Sequence, residues 1–207
     1  MDIAEQIRRA AARHPGAIAA MCGERQMTLA ALDERSTRLA NALLTRGIAP
    51  GRRIATWLEN SIACLEIDFA LAKAGIVRVP INPRATAAEA ATILADVEAD
   101  ALFFGPAHAA AIAALDASVW RIGVDGASGG ESSDDLIASG APAPLATGGD
   151  GGRLHSIFFT SGSSGRPKGC MLTHDAIFQV ACNVLLEIGP AAPGEKLLLL
   201  QPLSHGA

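Results

Sequence analysis

The sequence lacks features that mark several common classes of protein. Its 207 residues carry 17 Lys and Arg against 21 Asp and Glu, a net charge of −4, and the basic residues form no cluster, which argues against a nucleic acid partner. No apolar run approaches the length of a membrane span. Residues 1–9 predict an amphipathic helix and contain no apolar core of a signal peptide. We therefore expect a cytoplasmic protein.

Paired cysteines are missing as well. The four cysteines are scattered and include no C-x-x-C pair, so neither a disulfide framework nor a cysteine-based metal site is expected. Half of the residues are apolar and 18% are charged. This composition and length suffice for one large domain or two small ones.

Apolar periodicity alternates between helical and strand patterns along most of the chain. Helices are predicted over residues 2–13, 28–46, 61–74, 86–97, 107–115 and 173–188. Strands are predicted over residues 18–21, 53–58, 76–81, 101–104, 119–124 and 156–159. The alternation predicts an α/β fold, a layered and mostly parallel sheet flanked by helices. Residues 125–152, rich in Gly, Ser, Asp, Ala and Pro, predict a long flexible connection.

The segment 157–169 reads Ile-Phe-Phe-Thr-Ser-Gly-Ser-Ser-Gly-Arg-Pro-Lys-Gly. An apolar strand pattern leads into four hydroxyl residues, three glycines and a lysine. Glycine lets backbone N–H groups turn inward, and hydroxyls and a lysine add donors and positive charge, which suits a polyphosphate. The lysine is followed by Gly169, so the segment is not a Walker A loop, and it contains no G-x-G-x-x-G. The alternative for a Gly/Ser run is a linker without a ligand.

Residues 160–169, continuing to Leu172-Thr-His174, resemble the signature loop of the adenylate-forming (AMP-binding) superfamily, roughly T-S-G-[ST]-T-G-x-P-K-G-V-x-x-x-H. Its members include acyl- and aryl-CoA synthetases and the adenylation domains of peptide synthetases. Ser164 and Cys170 are mild departures from the pattern. The resemblance implies that the ATP phosphates are bound by Thr160, Ser161, Gly162, Ser163, Ser164, Gly165 and Lys168. It also implies that His174 starts a helix.

The last residues, Pro-Leu-Ser-His-Gly-Ala over 202–207, resemble the P-L-x-H-x-x-G motif of acyl- and aryl-CoA ligases. Amino-acid-activating domains of the superfamily tend to show F-D-x-S at this place. The resemblance implies that His205 borders the pocket for the carboxylate substrate. The alternative is a half-buried histidine near the end of a strand.

The resemblance implies ATP-dependent activation of a carboxylate, followed by thioester formation with coenzyme A. ATP with Mg²⁺ would be required, although the family's magnesium ligand and catalytic lysine belong to motifs that this sequence does not contain. Residues 1–207 are therefore expected to be an incomplete N-terminal portion of the AMP-binding domain, without the C-terminal domain and inactive alone. About residues 1–48 would belong to a second sheet. Apolar surface left uncovered would favour self-association.

Three other functions stay open from the sequence. An amino-acid- or aryl-acid-activating domain would load a carrier protein instead of coenzyme A. A non-catalytic α/β module would bind nucleotide or phosphate without chemistry, and the least specific alternative is an α/β domain with no ligand. Which carboxylate is activated does not follow from these residues.

Overall fold

The computed structural model describes residues 3–115, 118–146, 150–160, 167–189 and 194–204. The helices in these ranges are α1 (Ile3–Arg13), α2 (Leu29–Thr45), α3 (Ile62–Ala74), α4 (Ala87–Asp96), α5 (Ala109–Ala114), α6 (Ser133–Ser139) and α7 (His174–Ile188). The strands are β1 (Ile18–Cys22), β2 (Arg25–Thr28), β3 (Arg53–Trp57), β4 (Val77–Pro80), β5 (Ala101–Phe104), β6 (Trp120–Gly123), β7 (Glu131–Ser132), β8 (Leu154–Thr160) and β9 (Lys168–Thr173).

Seven of the strands form one sheet in the order β7-β6-β5-β3-β4-β8-β9. Every neighbouring pair is parallel except β8 and β9, which run antiparallel. The predicted α/β class with a mostly parallel sheet is thereby confirmed. The described part of residues 1–48 gives no strand to this sheet, because β1 and β2 pair with each other as a separate antiparallel hairpin.

The core lies on both faces of β3, as expected for a strand in the middle of a parallel sheet. Successive side chains alternate between the faces. Ile54 packs into the layer formed with α2, α3 and α6. Ala55 and Trp57 pack into the opposite layer, which contains α4 and α5. All three side chains are almost completely buried.

A buried lysine links α2 to α3. Lys73 Nζ lies 2.6 Å from an Asp33 carboxylate oxygen and donates to the hydroxyls of Ser36 and Thr37 at 2.8 and 2.9 Å. Burial lowers the pKa of Lys73, and the contact with Asp33 opposes that shift. Because each partner satisfies part of the buried charge, this cluster is accounted for by packing and needs no ligand.

Residues 125–152 require a correction. In place of a single long connection, they contain β7 and α6. β7 extends the sheet by pairing with β6, and Ser132 caps α6 by accepting a hydrogen bond from the Asp135 N–H at 3.4 Å. Leu136 and Ile137 of α6 are buried in the core. In the sequence, residues 134–137 give only a hint of a helical turn, and a strand of two residues is too short a pattern to stand out from a Gly- and Ser-rich background.

Apolar surface is exposed on α7 and on the segment after it. Leu186 is 83% exposed and Val180 50% exposed. The leucines of residues 197–200 are 51–83% exposed and belong to no strand. Self-association through uncovered apolar surface stays a prediction.

A search of the described residues finds no helix that is both long enough and apolar enough to cross a membrane.

The packing of α6 predicts a severe effect of one methyl group at Gly140. This residue ends α6, its N–H donates to the carbonyl of Leu136, and a Cβ there would lie 1.9 Å from the carbonyl oxygen of Arg38. We expect Gly140→Ala to lower the free energy of unfolding by about 1–3 kcal/mol, measured by urea denaturation. Gly16→Ala is the control, because its Cβ would meet no atom within 4 Å. Equal stabilities of the two variants would contradict this packing.

Candidate active site

The phosphate-loop motif begins and ends on a β-hairpin. Thr160 is the last residue of β8 and Lys168 the first of β9, and the two are directly opposite each other in the antiparallel ladder. The Thr160 hydroxyl also lies 3.5 Å from the Lys168 carbonyl oxygen, at the limit of a hydrogen bond. The two residues that flank the segment 161–167 are thus neighbours in the sheet.

The structure describes only the two ends of the predicted phosphate site. Thr160 and Lys168 are exposed, and no described carboxylate forms an ion pair with the ammonium group of Lys168. The other predicted phosphate ligands lie outside the described residues: Ser161, Gly162, Ser163, Ser164 and Gly165. The expected strand–loop–helix arrangement needs one correction, since β9 stands between the loop and α7.

Gly169, the last residue of the motif, allows the hairpin to close on its apolar face. It lies opposite Phe159 in the ladder, and a Cβ at this position would come within 2.9 Å of a methyl group of Ile157. Ile157 and Phe159 pack against the α4 side of the core. The glycine therefore leaves room for the side chain of Ile157 on this face of the hairpin, a role that its position in the motif alone does not reveal.

Capping and packing account for two histidines near this hairpin. Thr173 caps α7 by accepting a hydrogen bond from the Ala176 N–H at 3.2 Å, and His174 is the first residue of the helix. The ring of His174 is buried edge-on against His155, 4.8 Å between centroids. His155 in turn lies 3.2 Å from the hydroxyl of Ser156. These contacts join the start of β8 to the start of α7.

The carboxyl edge of the parallel sheet collects the remaining candidate residues. The chain passes from β3 to β4 on one side and then crosses to β5 on the other, so a topological switch point lies between β3 and β5. Ligands of open α/β sheets bind outside the carboxyl ends of strands, at such points. The phosphate loop leaves β8 at this same edge, because β8 is parallel to β4.

A crevice of about 120 Å³ opens at the switch point, between the loops that follow β3, β5 and β6. Its most unusual lining residue is His108, which is 7% exposed and stacks on Trp57 with ring centroids 4.3 Å apart. The Nε2 atom of His108 has no hydrogen-bond partner among the described residues. Burial lowers the pKa of His108, and the charge of Glu59 opposes this effect. No motif or spacing in the sequence around His108 indicates this environment.

The end of the described chain lies beside this edge. Leu203 contacts Asn60, which follows β3, and Arg78, which belongs to β4. His205, the residue predicted to border the carboxylate pocket, lies outside the described residues. The part of the motif that precedes it, Pro202 to Ser204, is therefore placed at the same sheet edge as the phosphate loop.

The described residues include no group of three or more His, Cys, Asp or Glu side chains able to hold a metal ion. They therefore offer no donor set to which the Mg²⁺ of ATP can be assigned.

A family model described as "AMP-binding enzyme" matches residues 7–207. The chain belongs to the AMP-binding enzyme family.

Among curated proteins, feruloyl-CoA synthase of Amycolatopsis sp is 40% identical over 199 residues, covering 96% of this chain and 38% of that protein. The fatty acid–[acyl-carrier-protein] ligase ScoC of Streptomyces coeruleorubidus is 34% identical over 174 residues, covering 82% of this chain and 32% of that protein. This AMP-binding chain thus spans about a third to two fifths of the length of these two relatives.

The fold is also similar to that of a solved structure. The inhibitor-bound crystal structure of the N-terminal domain of FACL13 from Mycobacterium tuberculosis superposes with a TM-score of 0.89 at 30% identity. The match covers 99% of this chain and 52% of that domain.

The environment of His108 predicts a pH-dependent stability. The pKa of the folded protein's His108 lies below the unfolded value of 6.5, so the unfolded state binds more protons between those two values. The contribution of neutral His108 to the free energy of unfolding is complete above pH 6.5. It is lost as the pH falls from 6.5 through the lower pKa of the folded protein. We expect His108→Phe, which keeps an aromatic ring against Trp57, to lose less free energy of unfolding than wild type between pH 8 and 5.

Urea denaturation at both pH values measures this difference. His14→Phe, the same change at an exposed histidine, is the control. A His108→Phe profile that parallels wild type would contradict a depressed pKa.

Proposed function

We propose that the protein containing this chain activates a carboxylate with ATP and transfers the acyl group to coenzyme A. Family membership over residues 7–207 carries the proposal, and the P-L-x-H motif at 202–205 favours the CoA-ligase branch. The 40% identity to a protein named feruloyl-CoA synthase supports an acyl or aryl acid as the substrate class.

In the first step, a carboxylate oxygen attacks the α-phosphorus of ATP. A bond forms between them, the bond from that phosphorus to the bridging oxygen breaks, and pyrophosphate leaves. In the second step the thiol sulfur of coenzyme A attacks the acyl carbon, gives up its proton to solvent or a base, and displaces AMP. The first step develops charge on the leaving phosphates, so catalysis depends on placing donors and positive charge around them.

The phosphate loop supplies those donors in this proposal. The hydroxyls of Thr160, Ser161, Ser163 and Ser164, with the N–H groups of Gly162 and Gly165, would bind the β- and γ-phosphates. Lys168 would add a positive charge at the loop's exit. The hairpin supports this assignment because it brings Thr160 and Lys168 face to face at the ends of the loop, and the described residues leave the lysine without a competing carboxylate.

Carboxylate-dependent ATP–pyrophosphate exchange in the intact protein tests the loop assignment. Lys168→Ala and Ser163→Ala each remove a contact to a charged phosphate, worth about 1.5–3 kcal/mol, so exchange should fall about 10- to 100-fold. Lys196→Ala is the matched control, because this lysine is exposed and outside the loop. Unchanged exchange in both loop variants would leave the phosphate assignment without support.

The 207-residue chain alone should show no exchange, because the family's magnesium glutamate and catalytic lysine motifs are not in its sequence. Clear turnover with a medium-chain or aryl carboxylate would contradict this expectation.

A carrier protein is the second candidate acceptor, favoured by the 34% identity to a protein named fatty acid–[acyl-carrier-protein] ligase. Incubating the intact protein with ATP, carboxylate and either coenzyme A or a phosphopantetheinylated carrier protein distinguishes the two. Formation of acyl-CoA would support coenzyme A as the acceptor. Acylation of the carrier protein alone would instead identify the carrier protein as the acceptor.

A further inference from the structure

The backbone around Pro202 is held by one side-chain amide. Asn60 Nδ2 donates a hydrogen bond to the carbonyl oxygen of Gln201 at 2.8 Å, and the Leu203 N–H donates to Asn60 Oδ1 at 2.8 Å. Pro202 has no N–H to offer. Asn60 therefore binds the acceptor before the proline and the donor after it, as a neighbouring strand would.

Arg78 holds the same segment from the other side. Its Nη2 donates to the carbonyl oxygen of Leu203 at 2.7 Å, and its Nη1 donates to a carboxylate oxygen of Asp68 on α3 at 3.2 Å. The Arg78 side chain is 10% exposed. Its guanidinium is thus oriented by an ion pair inside the protein, and hydrogen bonds from a charged donor are stronger than neutral ones.

Both backbone polar groups of Leu203 are consequently bound by side chains, one from the loop after β3 and one from β4, although residues 201–204 belong to no helix or strand. The Leu203 side chain packs against the α2–α3 layer of the core. Fixing a backbone residue costs about 1–2 kcal/mol of conformational entropy, and these contacts offset that cost before any substrate arrives. Neither Asn60 nor Arg78 belongs to a sequence motif connected with residues 202–205.

The location gives this anchoring a functional reading. Asn60 follows the carboxyl end of β3, and Arg78 lies in the adjacent parallel strand β4, so residues 201–203 are bound beside the carboxyl end of β3 and tied to β4 as well. The chain continues from Ser204 into His205. A displacement of about 1 Å in a substrate-binding segment can cost on the order of 10²-fold in rate.

We propose that Asn60 and Arg78 are positioning residues that fix residues 201–203 and so set the carboxylate pocket of the enzyme. The role of Asn60 and Arg78 in the reaction rests on the proposed function, whereas their contacts with residues 201–203 do not depend on it. Neither side chain is assigned to touch ATP or the carboxylate; both act through the backbone of residues 201–203.

Asn60→Ala in the intact protein is the main test, because Asn60 is exposed and its loss leaves no buried charge unpaired. Two measurements are made: amide hydrogen exchange at Leu203, and KM for the carboxylate and for ATP in pyrophosphate exchange. We expect amide hydrogen exchange at Leu203 to become about tenfold faster, because about 1–1.5 kcal/mol of hydrogen bonding is lost. For the same reason KM for the carboxylate should rise about tenfold, while KM for ATP stays unchanged.

Two further variants sharpen the result. Asn60→Asp keeps the acceptor for the Leu203 N–H and should restore much of its protection from exchange. Asn41→Ala is the matched control. The side-chain amide of Asn41 donates similar hydrogen bonds to the carbonyl oxygens of Ala141 and Ala143, at 2.8 and 2.9 Å, and these residues have no part in binding residues 201–203. It should leave both the Leu203 exchange rate and the carboxylate KM unchanged.

Each outcome decides one part of the inference. Unchanged exchange at Leu203 in Asn60→Ala would overturn the anchoring itself. Faster exchange with an unchanged carboxylate KM, or with equal rises in both KM values, would overturn the positioning role. Wild-type protein without pyrophosphate exchange would overturn the proposed function and the role in the reaction, while the exchange rate at Leu203 would still report on the contact.

Discussion

The burial of β3 on both faces and its parallel pairing on both edges is the constraint on which the rest of the structure depends. Ile54 and Trp57 face opposite layers of the core, and β4 and β5 take up the two edges. Parallel strands require a helical crossover between them, so α3 and α4 are forced onto the faces of the sheet. The same pairing directs the carboxyl ends of β3, β4 and β5 to one edge.

That edge gathers the chemically distinctive groups because loops following parallel strands must emerge there. The candidate phosphate loop leaves β8 at this edge, Leu203 is bound by Asn60 just beyond the end of β3, and the crevice at His108 lies at the switch point. By contrast, the buried charge of Lys73 belongs to the interface between α2 and α3, where it is balanced by Asp33 and two hydroxyls. The candidate site therefore lies at the carboxyl edge, while the Lys73 cluster is part of the packing between α2 and α3.

The elements that the sequence located are apolar runs bounded by turn residues. β3, α3 and β4 are such runs, with turn residues such as Gly51, Gly75 and Pro83 beside them. β7 and β9 were missed. β7 has two residues and is defined only by its pairing with β6, and β9 follows a Gly-rich loop and is defined by its ladder with β8. Such pairings join residues that local patterns do not compare.

The sequence by itself determined three things about this protein: the loop motif at 157–169, the P-L-x-H motif at 202–205, and the family to which both motifs point. A phosphate-binding loop needs particular residue types in a particular order, and that requirement is visible without coordinates. Only the tertiary structure decided that Asn60 and Arg78 hold Leu203, and that His108 lies buried against Trp57. These contacts join residues 51 to 143 positions apart, and they exist because the sheet brings strand ends together in space.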